Sequence, residues 1–335
     1  MSVWLPTAPC TPGACVERAG SRAAVPRAVL RLTAVAVLLL TGIALSTPAR
    51  RGIPAWLVGR WCRAIVRAAG VRVVTTGGAA PAEGGLLLVA NHISWLDIPL
   101  LAAVRPARML AKTEVGHWPV AGPVAVRSGA VLFIERDRLR ALPAAVARIA
   151  EALRAGAAVA AFPEGSTWCG RARGRFHHAV FQAALDAGVP VQPVRLRYRL
   201  TTGAPTSVPA FVGEDTLPAS LWRVTTTRHL LAEVEILPLI LPGTHPDRRT
   251  LARAAAHAID TAPGTAPPSD APEPHQDRLP AHTPGSGVPA PLVGPRPVTA
   301  PWDGPVPGVA PAPPYRGDAD HPRSVPFPTT RASRR

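Results

Sequence analysis

The sequence predicts an α/β fold in which a largely parallel sheet is flanked by helices. Between about residues 56 and 259, short apolar runs alternate with longer segments of helical periodicity. This order is typical of strand–helix–strand units. Two of the helical segments are followed by Gly156 and Gly188, where helices commonly end.

The elements are predicted from the local pattern. Four short runs rich in Val, Leu, Ala and Ile are interpreted as strands: 86–90, 130–134, 157–162 and 191–198. Three segments with helical spacing of apolar residues lie between them: 95–103, 140–155 and 179–187. The predicted folded domain covers residues 55–260.

The remaining chain divides into three segments. Residues 1–26 have no periodic apolar pattern, and residues 261–335 are rich in Pro, Ala, Gly and Thr. Because such segments bury too little apolar surface to offset chain entropy, both are predicted to be disordered. Residues 27–47 hold an apolar run long enough for a transmembrane anchor, which needs about 20 residues. A cleaved signal peptide is the alternative, with small residues at 46–49, although the preceding arm is long for one.

Charge and cysteine usage limit the partners and cofactors. The formal net charge of +16 favours anionic partners, including lipid surfaces. No block of basic residues with interleaved aromatics is present, so nucleic acid is not an expected partner. The four cysteines, Cys10, Cys15, Cys62 and Cys169, show neither metal-ligand spacing nor a disulfide framework. We therefore expect no metal site and a reducing, cytoplasmic environment for the main domain.

The central motif follows the first predicted strand directly. It reads Asn91-His-Ile-Ser-Trp-Leu-Asp97, with His92 and Asp97 five residues apart. On a regular helix this spacing separates two side chains by about 140°, so a cooperating pair must straddle the turn that enters the helix. A carboxylate in the first helical turn can then orient the imidazole, which makes the histidine a general base toward a hydroxyl.

A structural interpretation of the same motif stays open. Ser94-Trp-Leu-Asp97 also fits a helix capping box, in which Asp97 serves the helix start and His92 is an ordinary turn residue.

Four blocks together resemble the glycerolipid acyltransferases with an H-x4-D motif. After 91–97 come Gly129-Ala-Val-Leu-Phe-Ile-Glu-Arg136, Phe162-Pro-Glu-Gly-Ser166 and Val189-Pro-Val-Gln-Pro-Val194. They stand in the order and approximate spacing of that family, which includes 1-acylglycerol-3-phosphate and lyso-ornithine-lipid acyltransferases. The resemblance covers residues 55–260 and implies the family's mixed, largely parallel sheet.

The resemblance also implies roles for individual residues. His92 would remove a proton from the acceptor hydroxyl, and Asp97 would orient it. Arg136 would bind an anionic head group through paired hydrogen bonds. The loop of Glu164, Gly165 and Ser166 would shape the acceptor pocket, and Lys112 is a second candidate anion contact.

Each of these binding residues has a plainer interpretation. Arg136 lies in the charge run 135–138, which can be a solvated face, and Glu164-Gly165 can be a turn. The sequence departs from many relatives at His177-His178, where they carry Lys and then Gly, and this leaves the acceptor open. No Gly-x-Ser-x-Gly nucleophile motif occurs, so direct acyl transfer is expected rather than an acyl-enzyme.

These observations predict an O-acyltransferase that moves a fatty acyl group onto the hydroxyl of a lysolipid. The donor would be acyl-CoA or acyl carrier protein, acting as a co-substrate, and no resident cofactor is expected. The acceptor would be 1-acylglycerol-3-phosphate or a lyso-ornithine lipid. The enzyme would lie at the cell membrane with its catalytic domain facing the cytoplasm. The alternatives are a catalytically silent lipid-binding or scaffold protein of the same fold and a secreted hydrolase.

Overall fold

The structure is a computed structural model that describes residues 8–17, 24–46, 54–112, 131–134 and 139–262. Its strands are β1 (Val71–Gly77), β2 (Leu86–Ala90), β3 (Arg108–Lys112), β4 (Val131–Ile134), β5 (Ala158–Ala161), β6 (Val191–Leu200) and β7 (Leu230–Ile236). Its helices are α1 (Pro12–Cys15), α2 (Val25–Ser46), α3 (Ala55–Ala68), α4 (Asp97–Val104), α5 (Leu142–Arg154), α6 (Ala179–Ala187), α7 (Leu217–Thr226) and α8 (Arg248–Thr261).

The described strands form one mixed sheet in the order β1-β7-β6-β2-β5-β3-β4. The neighbours from β6 through β2, β5 and β3 to β4 are parallel, whereas β7 pairs antiparallel with β6 and parallel with β1. This confirms the predicted mixed, largely parallel sheet. The carboxyl ends of β2, β5, β3 and β4 therefore meet at one edge of the sheet.

Strand β2 lies at the centre of the hydrophobic core. All five of its residues are buried. Leu86 and Leu88 belong to the apolar cluster on one face of the sheet, while Leu87 and Val89 belong to the cluster on the other. A parallel strand covered on both faces reads as a continuous apolar run, which is why the sequence predicted it.

Most predicted elements occur close to their expected positions, and three strands were missed. Strand β2 and helix α6 have the predicted bounds, and Gly188 ends α6 with a φ of 64°. The sequence did not predict β1, β3 or β7. Strand β7 alternates between buried and half-buried residues, which is the period-2 signal of a strand covered on one face.

The N-terminal arm differs from the disordered segment predicted for residues 1–26. Residues 8–17 pack against the sheet domain, with Cys10 buried and α1 capped by the Thr11 side chain. The backbone N–H of Glu17 donates to Ser207 Oγ at 3.1 Å, and its carboxylate pairs with Arg171 at 2.9 Å. These polar contacts, together with the packing of Cys10, Cys15 and Val16 against the hydrophobic core, hold the segment in place.

The predicted segment bounds can be compared with the structure at two other places, the apolar helix and the end of the folded domain. Helix α2 overlaps most of the predicted anchor at 27–47 and begins two residues before it, at Val25. Helix α8 runs to Thr261, and Ala262 is buried, so the folded part continues slightly past the predicted end at residue 260. The rest of the tail predicted at 261–335 lies outside the described residues.

Candidate active site

His92 and Asp97 form a hydrogen-bonded pair across the turn between β2 and α4. The Nδ1 atom of His92 lies 2.9 Å from Oδ2 of Asp97. Helix α4 begins at Asp97, so the carboxylate stands in the first helical turn while the histidine stays in the preceding loop. This is the straddling arrangement that the five-residue spacing predicts.

The Asp97 carboxylate is fully buried and accepts hydrogen bonds from four donors. Besides the imidazole, its Oδ2 accepts the backbone N–H groups of Ile93 at 2.6 Å and Ser94 at 2.8 Å. Its Oδ1 accepts the hydroxyl of Tyr198 at 2.6 Å. The bond from the Ser94 N–H is one half of the predicted capping box, although the N-cap residue of α4, Leu96, has no side-chain cap. The same carboxylate therefore braces the turn before the helix and is placed to orient the imidazole.

Tyr198 stays a hydrogen-bond donor to this carboxylate. Burial raises the pKa of Tyr198 well above its usual value, and the charge of Asp97 raises it further. With Asp97 saturated by donors, the network assigns the Nδ1 proton to the bond with the carboxylate. The other ring nitrogen of His92, Nε2, is then the atom that can take a proton.

The imidazole is held flat against Phe162 and remains open to solvent. The two ring centroids lie 3.9 Å apart with an interplanar angle of 9°. The side chain of His92 keeps 18% of its surface exposed, whereas Asp97 keeps none. An acceptor hydroxyl can therefore approach the imidazole but not the carboxylate.

Glu164 supports the loop that carries His92. Its Oε2 accepts the backbone N–H of His92 at 2.8 Å, and its Oε1 accepts that of Gly174 at 3.2 Å. Burial raises the pKa of Glu164 to about 8, although both N–H donors lower it. The sequence predicted a pocket residue here, whereas the structure shows a buried carboxyl group that holds backbone.

Gly165 and Ser166 continue the same loop. Gly165 has a φ of 74°, and its N–H donates to the carbonyl of Phe162 at 3.0 Å. The turn interpretation of the sequence is therefore correct for this glycine, since its backbone conformation is one that other residues rarely adopt. Ser166 is half-buried in this loop.

The remaining predicted residues lie along the same sheet edge. Lys112 is the last residue of β3 and pairs with Ile134, the last residue of β4. Arg136 lies outside the described residues, two positions beyond that strand. Because β2, β5, β3 and β4 are adjacent and parallel, their carboxyl ends bring His92, Glu164 and Lys112 to one edge.

The sequence did not predict the hydrogen bonds that join the loop of Asn91 and His92 to strand β6 and to the segment after β5. Asn91 exchanges two hydrogen bonds with the backbone of Leu196 in β6, at 3.0 and 2.9 Å. The carbonyl of His92 accepts the N–H of Trp168 at 2.8 Å. Asn91 stands in the recognised motif, but the neighbouring strand that makes these contacts is set by topology, which the local pattern does not reveal.

One group of three potential metal ligands occurs in the part of the chain that the structure describes. It consists of Cys10, Cys15 and Cys169 and includes neither His92 nor Asp97. His177 and His178 do not belong to it.

Comparison with known proteins gives consistent results. The family model described as Acyltransferase matches residues 72–197. The chain is 40% identical over 228 residues to a lyso-ornithine lipid O-acyltransferase of Pseudomonas aeruginosa, covering 67% of this chain and 83% of that protein. It is 37% identical over 176 residues to a 1-acyl-sn-glycerol-3-phosphate acyltransferase of Neisseria gonorrhoeae, covering 52% and 68%. The fold resembles the crystal structure of the 1-acyl-sn-glycerophosphate acyltransferase PlsC of Thermotoga maritima, with a TM-score of 0.51, 20% identity and coverage of 70% and 93%.

Replacing Glu164 by glutamine tests its raised pKa. The folded protein keeps the carboxyl proton up to about pH 8, whereas an ordinary glutamate loses it near 4.5. The folded state thus binds the extra proton between these values, and the free energy of unfolding should fall as the pH rises through this window. The contribution is up to about 1.4 kcal/mol per pH unit. Glu164→Gln should flatten this slope in denaturant titrations at a series of pH values.

The control is Glu151→Gln, at an exposed glutamate of α5, which should keep the wild-type pH profile. If Glu164→Gln retains the wild-type slope, the carboxyl group of Glu164 is already ionised throughout this window.

Proposed function

The chain belongs to the acyltransferase family, and from this premise we propose that it transfers a fatty acyl group from a thioester donor to the hydroxyl of a lysolipid. The observation that carries the proposal is the His92–Asp97 pair, with Nδ1 and Oδ2 at 2.9 Å and the imidazole open to solvent. The named substrates of the two relatives, a lyso-ornithine lipid and a 1-acylglycerol phosphate, support a lysolipid acceptor.

In this mechanism Nε2 of His92 takes the proton of the acceptor hydroxyl as its oxygen attacks the thioester carbonyl. Asp97 holds the tautomer and stabilises the imidazolium that forms. Collapse of the tetrahedral intermediate expels the donor thiolate, which receives the proton from His92. Holding both substrates in one site makes the attack effectively unimolecular. Glu164 acts by positioning the backbone of the histidine.

Arg136 and Lys112 are proposed to bind the anionic part of the acceptor. The strand ends that precede His92 and Arg136 are separated by three strand spacings, or about 14 Å. Because the charged group and the hydroxyl of a lysolipid are only a few bonds apart, the long basic side chains are proposed to extend from the β3 and β4 ends toward β2 and so hold the head group near the imidazole. Ser166 and Gly165 would line the path between them.

Of the two acceptors, a lyso-ornithine lipid is proposed as the preferred one. The relative with that name matches over 83% of its length, and the 1-acylglycerol-phosphate enzyme over 68%. Acyl-CoA and acyl carrier protein are both anionic and suit the net charge of +16, so both are candidate donors. No resident cofactor is proposed for this chemistry.

A silent lipid-binding protein is the second candidate function. The retained geometry counts against it, since a buried carboxylate with four satisfied donors still orients an open imidazole. A protein that only binds lipid would not require a carboxylate that orients a solvent-accessible histidine.

Association with the membrane is proposed to occur through α2 without a full crossing. This helix is long and apolar enough to span a bilayer by length and composition, a test that a signal sequence also passes. It exposes apolar side chains, among them Leu30 at 71% and Leu40 at 64%. Such a surface is suited to lipid.

The contacts on both sides of α2 argue against a crossing. Before it, Glu17 contacts Ser207 and Arg171 of the sheet domain. At its start, Arg31 donates to the carbonyl oxygens of Thr225 and Thr227 at 2.8 and 2.7 Å, rather than extending to a membrane interface as a snorkelling side chain would. After it, α3 packs on α4 and β1. A spanning helix would place these flanks about 30 Å apart on opposite sides of the membrane.

The acyl-transfer assay that tests the proposed function uses lyso-ornithine lipid, 1-acylglycerol-3-phosphate and an uncharged monoacylglycerol, each with acyl-CoA and acyl carrier protein. Wild-type protein should acylate an anionic or zwitterionic lysolipid, and His92→Ala should lose about 10²- to 10⁴-fold in rate, the usual contribution of a general base. His257→Ala, at an exposed histidine of α8, is the matched control and should keep full activity. Equal rates for wild type and His92→Ala would remove the imidazole from the mechanism, and no transfer to any acceptor would favour the lipid-binding alternative.

Replacement of Arg136 by alanine tests the head-group contact. It should raise the KM for the charged lysolipid by about 10- to 100-fold with little change in kcat, because hydrogen bonds to charged groups contribute about 1.5–3 kcal/mol. Arg138→Ala, from the same charge run, is the control and should leave KM unchanged. An Arg136→Ala variant with wild-type KM would mean that this arginine belongs to a solvated face.

Epitope tags at the two chain ends test the membrane arrangement. If α2 does not cross the bilayer, both tags should be digested by protease from the same side of oriented membrane vesicles. Accessibility of the two tags from opposite sides would show that α2 is a spanning anchor, and loss of the N-terminal tag with residues 1–46 would show a cleaved signal.

A further inference from the structure

Three cysteines that are far apart in sequence meet beside the active-site loop. The sulfur atoms of Cys10, Cys15 and Cys169 all lie within 4.8 Å of one another. Cys10 and Cys169 are buried, Cys15 is half-buried, and all three are free thiols. The acyl-transfer mechanism uses none of them.

We propose that these three thiolates bind a thiophilic divalent metal ion of the zinc class, which fastens the N-terminal arm to the loop that follows β5. Zinc takes thiolate ligands at about 2.3 Å in tetrahedral geometry, which places the sulfurs about 3.8 Å apart. The observed sulfur positions need to shift by at most about 1 Å to meet this. A solvent molecule would complete the fourth position.

The backbone around Cys169 is arranged as it commonly is around a metal-bound thiolate. Gly170, with a φ of 84°, turns the chain so that the N–H groups of Arg171 and Ala172 donate to the Cys169 sulfur. The N–H of Cys169 in turn donates to the Cys10 sulfur.

Cys10 is buried beside the other two cysteines and would bind the ion as a thiolate. A coordinated metal ion deprotonates a bound thiol outright, and the released proton goes to solvent.

Other arm contacts bring the same segments together and so preorganise the three thiols. Glu17 pairs with Arg171, two residues after Cys169, and accepts the Thr206 hydroxyl at 2.5 Å. Gly213 approaches the arm so closely that a Cβ there would lie 2.9 Å from the carbonyl oxygen of Cys10. The arm is therefore held on both sides of the cluster before any ion binds.

The proposed ion would act next to the loop that holds the imidazole. Trp168, the residue before Cys169, donates its N–H to the carbonyl of His92 at 2.8 Å. Phe211 donates to the carbonyl of Ile93 at 2.9 Å. A metal that fixes Cys169 would thus restrain the neighbouring Trp168 contact, one of the backbone hydrogen bonds that hold the His92 segment.

Metal analysis of the full-length protein tests the site directly. Protein purified under reducing conditions, incubated with Zn²⁺ and freed of excess ion should carry about one zinc per chain. Cys169→Ser and Cys15→Ser should each retain no more than roughly a tenth of that amount, since a ligand is lost. Cys62→Ser is the matched control, because this fourth cysteine lies on α3 outside the cluster, and it should bind zinc as the wild type does.

Two further measurements use the wild-type chain and are independent of acyl transfer. Co²⁺ in place of Zn²⁺ should give the sulfur-to-cobalt charge-transfer absorption and the intense visible bands of tetrahedral thiolate coordination. Removal of the metal by a chelator should increase amide hydrogen exchange in residues 10–17. Wild-type protein that binds neither ion, or whose unreduced mass shows two of the three thiols joined in a disulfide, would overturn the proposal.

Discussion

The geometry of the candidate site depends on one buried carboxylate, that of Asp97. Its two oxygens satisfy two backbone N–H groups of the turn, the hydroxyl of Tyr198 and the imidazole of His92. A buried charge is tolerated only when it is well paired, and here the groups that pair it are also those that shape the loop. The same bonds therefore fix the helix start and the ring orientation, and neither can change without the other.

A second carboxyl group, that of Glu164, supports the same loop, but its surroundings favour the protonated form. Burial is the main cause of its raised pKa, and the charge of Asp97 adds to it. Two neighbouring carboxyl groups in a buried region avoid repulsion when one keeps its proton. Asp97, with four donors, is placed to carry the negative charge beside the imidazole, and Glu164 can hold backbone N–H groups in either state.

The sequence predicted what short-range patterns encode. Strand β2 is a continuous apolar run and helix α6 ends at a glycine, so both were located from local signals. The contact between Tyr198 and Asp97 spans 101 residues and depends on β6 lying next to β2, which no local pattern states. The cysteine cluster was missed for the same reason, because Cys169 meets Cys10 and Cys15 only after the arm has docked. Spacing rules for metal ligands consider neighbours in sequence, whereas this group is formed by the tertiary fold.

The arm also constrains how the enzyme meets the membrane. The arm packs only a few small apolar side chains against the core, so its order also depends on specific contacts such as the Glu17–Arg171 pair and on the proposed metal. If the chain associates with a membrane through α2, as proposed, those contacts place residues 8–17 on the same side as the sheet domain, and α2 would enter and leave the lipid on that side. If that side is the cytoplasm, its reducing conditions keep the three thiols free to bind an ion. The proposed in-plane helix and the proposed thiolate site are thus linked, because both depend on the docking of residues 8–17 against the sheet domain.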